Sequence, residues 1–152
     1  MTAKQKSVPV PRMTVITLGV SDIGKSIAFY EALGFARRLK ETGDAIAFFD
    51  TGGSVLALFP WDQLAGDATL PDHPRPQAFR GSTLGWNCRS EDEVDAVLAF
   101  AVDCGGSLLK PARKTDYGGY SGYFADPDGH AWDVVVAPGI DVGDDRRVHL
   151  AE

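Results

Sequence analysis

The chain has 152 residues, 44% of them apolar and 24% charged, a size and balance that suit one domain with its own core and exclude collagen-like, coiled-coil and wholly disordered classes. Fifteen Lys and Arg against twenty-one Asp and Glu leave a net charge of −6, which repels nucleic acid and anionic lipid and removes both from the expected partners. Cys88 and Cys104 stand apart with no CxxC and no adjoining His cluster, so neither a zinc knuckle nor a disulfide framework is implied, and a reducing, cytoplasmic setting is expected.

Residues 1–12 read as an N-terminal extension: basic residues appear there, but no apolar stretch follows them as a secretion signal would require. Nowhere does an apolar run approach the roughly 20 residues that span a bilayer. From Met13 to Val20 the chain alternates and is β-branched, which predicts a half-buried strand. Ser21 and Asp22 then offer N-caps, Ile23, Ile27 and Tyr30 share a helical face, and Gly34 supplies a stop, so a helix is expected over 23–33. Apolar runs at Phe35 to Leu39, Ala45 to Asp50 and Ser54 to Phe59, separated by Gly-rich turns, predict an antiparallel meander.

The segment 61–81, rich in Pro and without a steady period, reads as a connector. The order of elements then repeats. A strand is expected from Ser82 to Cys88 and a helix from Glu91 to about Cys104, where Ser90 and Glu93 make a capping box and Val94, Val97, Leu98 and Ala101 form a stripe. Further strands are expected at Ser107 to Leu109, Tyr120 to Ala125 and Ala131 to Val136. Both halves thus read βαβββ, with Gly34 matching Gly105 and Asp50-Thr51-Gly52-Gly53 matching Asp126-Pro127-Asp128-Gly129. The expected class is α+β: two tandem βαβββ modules, 13–60 and 82–138, forming one domain whose curved mixed sheet encloses a cleft. Residues 139–152 read as a tail, either a mobile end or a dimer arm.

Leu18-Gly19-Val20-Ser21-Asp22, Leu33-Gly34-Phe35 and the closing Phe124-Ala125-Asp126-Pro127-Asp128-Gly129-His130-Ala131-Trp132-Asp133 together resemble the vicinal oxygen chelate superfamily, which includes glyoxalase I, bleomycin resistance proteins and extradiol dioxygenases. The resemblance covers about Thr14 to Pro138. It implies a divalent metal held in the cleft by His, Gln or Glu on the first and last strands of each module. Carried onto this sequence, those positions are Val15, Ala57, Thr83 and Asp133. One carboxylate among four cannot supply the three protein ligands usual for such metals, so no metal or other cofactor is expected.

If Val15 faces the cleft, alternation places Thr17, Ala57, Asn87 and Asp133 there as well, on a largely apolar wall suited to a planar small molecule. Asp133 is the candidate catalytic residue: either a solvated turn cap, or a desolvated carboxylate able to take a proton or hold an amine. Asn87 either orients a ligand carbonyl or satisfies backbone groups. Tyr117 and Tyr120, beside glycines, read either as ordinary strand residues or as a loop over the cleft mouth, and Trp61 and Phe49 either complete such a lid or staple the connector. Cys88 is expected to be structural, and His130 a turn residue. Three functions follow: a metal-free binding protein for a small, partly aromatic or cationic molecule, acting as a homodimer; a metal-dependent lactoylglutathione lyase-type lyase, isomerase or dioxygenase; or a metal-independent enzyme using Asp133 and a tyrosine.

Overall fold

The computed structural model describes residues 8–72 and 78–152; His73, Pro74 and Pro76 of the connector lie outside them. The first module runs β1 (Val15–Val20), α1 (Ile23–Ala32), β2 (Ala36–Arg38), β3 (Ala47–Asp50) and β4 (Val55–Pro60). A short helix, α2 (Trp61–Asp67), follows, and the second module repeats the order as β5 (Leu84–Asn87), α3 (Glu91–Asp103), β6 (Ser107–Lys114), β7 (Tyr120–Ala125) and β8 (Ala131–Val136). Each module builds a four-stranded mixed sheet in the same order, β1-β4-β3-β2 and β5-β8-β7-β6, with its first and last strands parallel. The fold is thus α+β with two βαβββ units, and β1 and β5 stand at the ends of their respective sheets.

Local chemistry explains the helix boundaries. The Asp22 carboxylate accepts from the Lys25 N–H at 3.1 Å, and Ser90 Oγ accepts from the Glu93 N–H at 3.1 Å while Glu93 reaches back to the Arg89 N–H at 2.9 Å. These side chains satisfy amides that a helix start leaves orphaned. Gly34 and Gly105, at φ +102° and +108°, end α1 and α3 in the left-handed region that glycine enters without a Cβ penalty.

Alternation along the strands sorts the side chains onto two faces. Leu18, Val20, Leu56 and Leu58 of the first sheet, and Phe124, Trp132 and Val134 of the second, turn toward the helices and join one core with Ile27, Phe29, Tyr30, Val94, Val97, Leu98 and Ala101. Helix α1 belongs to both modules: Phe29 lies 6.4 Å from Phe124 and Tyr30 lies 6.0 Å from Trp132, ring centre to ring centre. The modules are therefore fused through their helix-side faces, and each sheet's opposite face is turned away from that core.

Three segments differ from the sequence expectation. The connector contains α2, because Trp61 packs on the bare backbone of Gly19, 3.1 Å from where a Cβ would stand, and Leu64 and Ala65 follow at helical spacing. Strand β6 extends to Lys114 through Pro111, which an end strand tolerates because no ladder partner needs its amide; register shifts at Leu108/Lys110 and Lys110/Arg113 absorb the irregularity. The tail forms a hairpin, β9 (Ile140–Val142) with β10 (Val148–Leu150), which Arg89 anchors by donating to the carbonyls of Val142 and Gly143 at 3.2 and 2.8 Å.

Candidate functional site

On the face of the second sheet turned away from the helices, register aligns Lys110 with Tyr123, Tyr123 with Asp133, and Asp133 with Gly85. Directly opposed residues share a face, so three functional side chains form one row, and Gly85 leaves its end uncovered. Asp133 is half-buried and its Oδ1 is buried without a hydrogen-bond partner. Burial raises the Asp133 pKa above the ordinary carboxylate value, while the neighbouring Tyr123 hydroxyl and Lys110 ammonium pull the other way. Tyr123 is raised too, first by burial and then by the Asp133 charge. The row can accept an N–H donor, or hold a proton, at one defined atom. Tyr123 and Lys110 are additions to the set expected from sequence. Tyr123 was within reach of the alternation argument, since it is three residues from Tyr120 and so points to the opposite face.

The other positions sort clearly. Thr17 and Ala57 are cross-strand partners on the first sheet, Thr17 half-buried and Ala57 wholly buried, while Val15 is 44% exposed. Asn87 closes β5 and is half-buried. Tyr117, 57% exposed, occupies the β6–β7 turn and lies close enough to Tyr123 to influence it electrostatically. Phe49, Tyr120 and Trp61 take the packing alternative to a lid. Phe49 pairs with Leu56 and is 0% exposed in the core, 6.0 Å from Tyr30, where its parity on β3 directs it to the helices. Tyr120 also turns to the helix side and donates its hydroxyl to Asp95 of α3 at 2.7 Å. Trp61 covers Gly19, stacks on His130 at 6.1 Å and carries the Arg80 guanidinium 5.1 Å over its ring. It fastens the modules together instead of roofing a cleft.

Cys88 is buried, and desolvation, helped by Glu93, pushes its thiol up to about 12. It therefore stays protonated and serves as packing. His130 lies in the β7–β8 turn, where its Nε2 donates to the Gly19 carbonyl at 2.7 Å. That turn also holds the inter-module latch. One Asp128 oxygen accepts from the Ser21 N–H and hydroxyl at 2.8 and 2.7 Å, and the other accepts from the Ser26 hydroxyl at 3.1 Å. Buried Asp126 accepts from the Tyr30 hydroxyl at 2.7 Å, and Trp132 Nε1 donates to that hydroxyl at 3.2 Å.

Residues 12–134 match the family model for the Glyoxalase/Bleomycin resistance protein/Dioxygenase superfamily, and the chain belongs to that superfamily. Metallothiol transferase FosB of Lysinibacillus sphaericus is 33% identical over 118 residues, spanning 78% of this chain and 77% of that protein. Among solved structures, a glyoxalase-related enzyme from Fulvimarina pelagi superposes with a TM-score of 0.82 at 35% identity, covering 94% of this chain and all of that one. Lactoylglutathione lyase from Agrobacterium tumefaciens, at 22% identity and a TM-score of 0.62 over 85% of this chain and 96% of its own, shares the fold.

The superfamily resemblance implies a divalent metal, but the residues present do not fit one. Asp133 brings a carboxylate, whereas Val15 and Ala57 carry no donor atom and Thr83 is an exposed neutral hydroxyl ahead of β5. Among the described residues, no group of three or more His, Cys, Asp and Glu side chains converges. A divalent ion needs several such donors at once. No helix of the described residues is long and apolar enough to cross a membrane.

Proposed function

We propose that this chain is a small-molecule-binding member of its superfamily that holds a partly aromatic cation on its concave face without a resident metal. The observation that carries this reading is the Asp133 carboxylate: one oxygen is buried and unpartnered, which favours a ligand that brings an N–H donor. Tyr123 and Tyr117 add aromatic surface beside it. Sequestration needs only affinity, which suits a wall whose charged groups are Asp133 and Lys110.

The test uses 2-naphthylmethylammonium as a probe in titration calorimetry. The proposal expects saturable binding that Asp133→Asn weakens about tenfold or more, in line with losing a charge-assisted hydrogen bond. Equal affinity for the variant and the parent would overturn the role of Asp133.

A second reading, a metal-dependent thiol transferase, is favoured by the identity to metallothiol transferase FosB. It requires near-stoichiometric retention of one divalent ion by untagged protein offered nickel, zinc, manganese and iron. The positions Val15, Ala57 and Thr83 argue against that outcome. We further propose a cytoplasmic homodimer, in which the exposed apolar residues Val8, Val10 and Met13 would be covered by a second copy. Light scattering should then give twice 16.3 kDa.

A further inference from the structure

The repeated modules meet at two junctions, and only one of them is closed by polar contacts. At the other, the end of β5 and the start of α3 face the β3–β4 turn around a cavity of about 700 Å³. Its floor is aromatic: Phe35, Trp86 and Trp132 sit with ring centres 5.5, 5.9 and 6.3 Å apart. Its rim carries Arg89, Arg146 and Arg147.

These arginines are not equivalent. Arg89 is engaged in holding the β9–β10 hairpin. Among the described residues, the guanidinium groups of Arg146 and Arg147 make no hydrogen bond or ion pair, although both lie in contact with the Cβ positions of Gly52 and Gly53. Glu93, the acidic side chain among the described lining residues, already accepts from the Arg89 N–H. Arg147 is among the groups that lower the Asp145 pKa, but the Asp145 carboxylate already accepts from the Arg147 backbone N–H at 3.0 Å and contacts His149 at 3.2 Å. The result is a concentration of positive charge beside aromatic faces on a chain whose net charge is −6.

We infer that this junction cavity is a second ligand site, separate from Asp133, for a planar aromatic molecule carrying an oxyanion. The volume falls within the roughly 300–1,000 Å³ of small-molecule pockets. A planar body gains by contact with Trp86 and Phe35, and guanidinium forks match the paired oxygens of a carboxylate or phosphate. Gly52 and Gly53 leave the space beside the arginines open, because any Cβ there would lie about 3.0 to 3.2 Å from their side chains.

Titration calorimetry with 2-naphthoate, set against 2-naphthylmethylammonium as the same ring with opposite charge, tests the inference. We expect 2-naphthoate to bind saturably, more weakly as salt is raised, and the exposed double variant Arg146→Gln/Arg147→Gln to lose about tenfold or more in affinity. Asp133→Asn should leave 2-naphthoate binding unchanged, which separates this site from the one on the concave face. Unaltered 2-naphthoate affinity in the arginine variant, or 2-naphthoate binding that Asp133→Asn abolishes, would overturn it.

Discussion

The two module junctions are built on matching turns and differ in chemistry. In the second module the turn Asp126-Pro127-Asp128-Gly129 offers Asp128 to the start of α1, where Ser21 and Ser26 donate to it. In the first, the turn Asp50-Thr51-Gly52-Gly53 keeps the internal bond, Asp50 accepting from the Gly52 N–H at 2.8 Å as Asp126 does from Asp128 at 2.9 Å, but a glycine stands where Asp128 would be. Counting from the helix caps, Arg89, Val94 and Leu98 replace Ser21, Ser26 and Tyr30. Deleting one carboxylate and three hydroxyls converts a latch into an open cavity that the tail hairpin lines, while the backbone repeat survives. A fold can therefore be symmetric while its polar contacts are not.

The sharpest way to break this comparison is at Tyr30. Truncation by Tyr30→Ala removes a fully buried ring from the closed junction and should cost about 3–5 kcal/mol in urea denaturation. Tyr30→Phe keeps the ring but orphans Asp126 Oδ2 and Trp132 Nε1, for an expected loss of about 1–3 kcal/mol. Asp128→Ala should cost about 1–2 kcal/mol, the range of a lost helix cap, whereas Arg146→Ala at the open junction should stay within about 0.5 kcal/mol. If the two substitutions cost the same, the asymmetry in contacts is not an asymmetry in stability.

Smaller effects concern the Asp133 face of the second sheet. Because burial raises the Asp133 pKa in the folded chain, the native state holds that proton more tightly than the unfolded one. The carboxyl group thus favours folding most below its ordinary value of roughly 3.9, and that contribution fades as pH rises through the raised native value. Asp133→Asn should accordingly melt higher than the parent at pH 7, with the two converging in acid; identical melting curves at both pH values would contradict the desolvation. Smallest of all, Cys88, with its thiol near 12, should escape iodoacetamide in native protein at pH 8, as read by intact mass.

Much of the architecture was open to reading because it rests on short-range chemistry. The Ser90–Glu93 capping box, the stops at Gly34 and Gly105, and the doubled βαβββ order each depend on residues close in sequence. Helix α2 escaped notice because seven residues are too few to display a period, and what makes it a helix is Trp61 seated on Gly19, forty-two positions earlier. The hairpin of the tail was hidden for the same reason, since Arg89 holds it from the other end of the module.

For the candidate site, parity on β1 and β8 puts Thr17 and Asp133 on the faces turned away from the helices, because the neighbouring core residues Leu18 and Trp132 fix the alternation there. For Phe49 and Tyr120 the sequence leaves core and lid both open, since nothing local says which face of β3 or β7 meets the helices. Tyr123 and Lys110 joined Asp133 only through cross-strand pairing. The sequence by itself determined the repeat, the superfamily resemblance and the poverty of metal donors at Val15, Ala57 and Thr83, all properties of residue type and spacing. Tertiary structure alone decided that Asp133 keeps a buried oxygen unpartnered, that one junction is latched, and that the other gathers Trp86, Arg146 and Arg147. Burial and charge clustering depend on which distant strands become neighbours, and no local pattern encodes that.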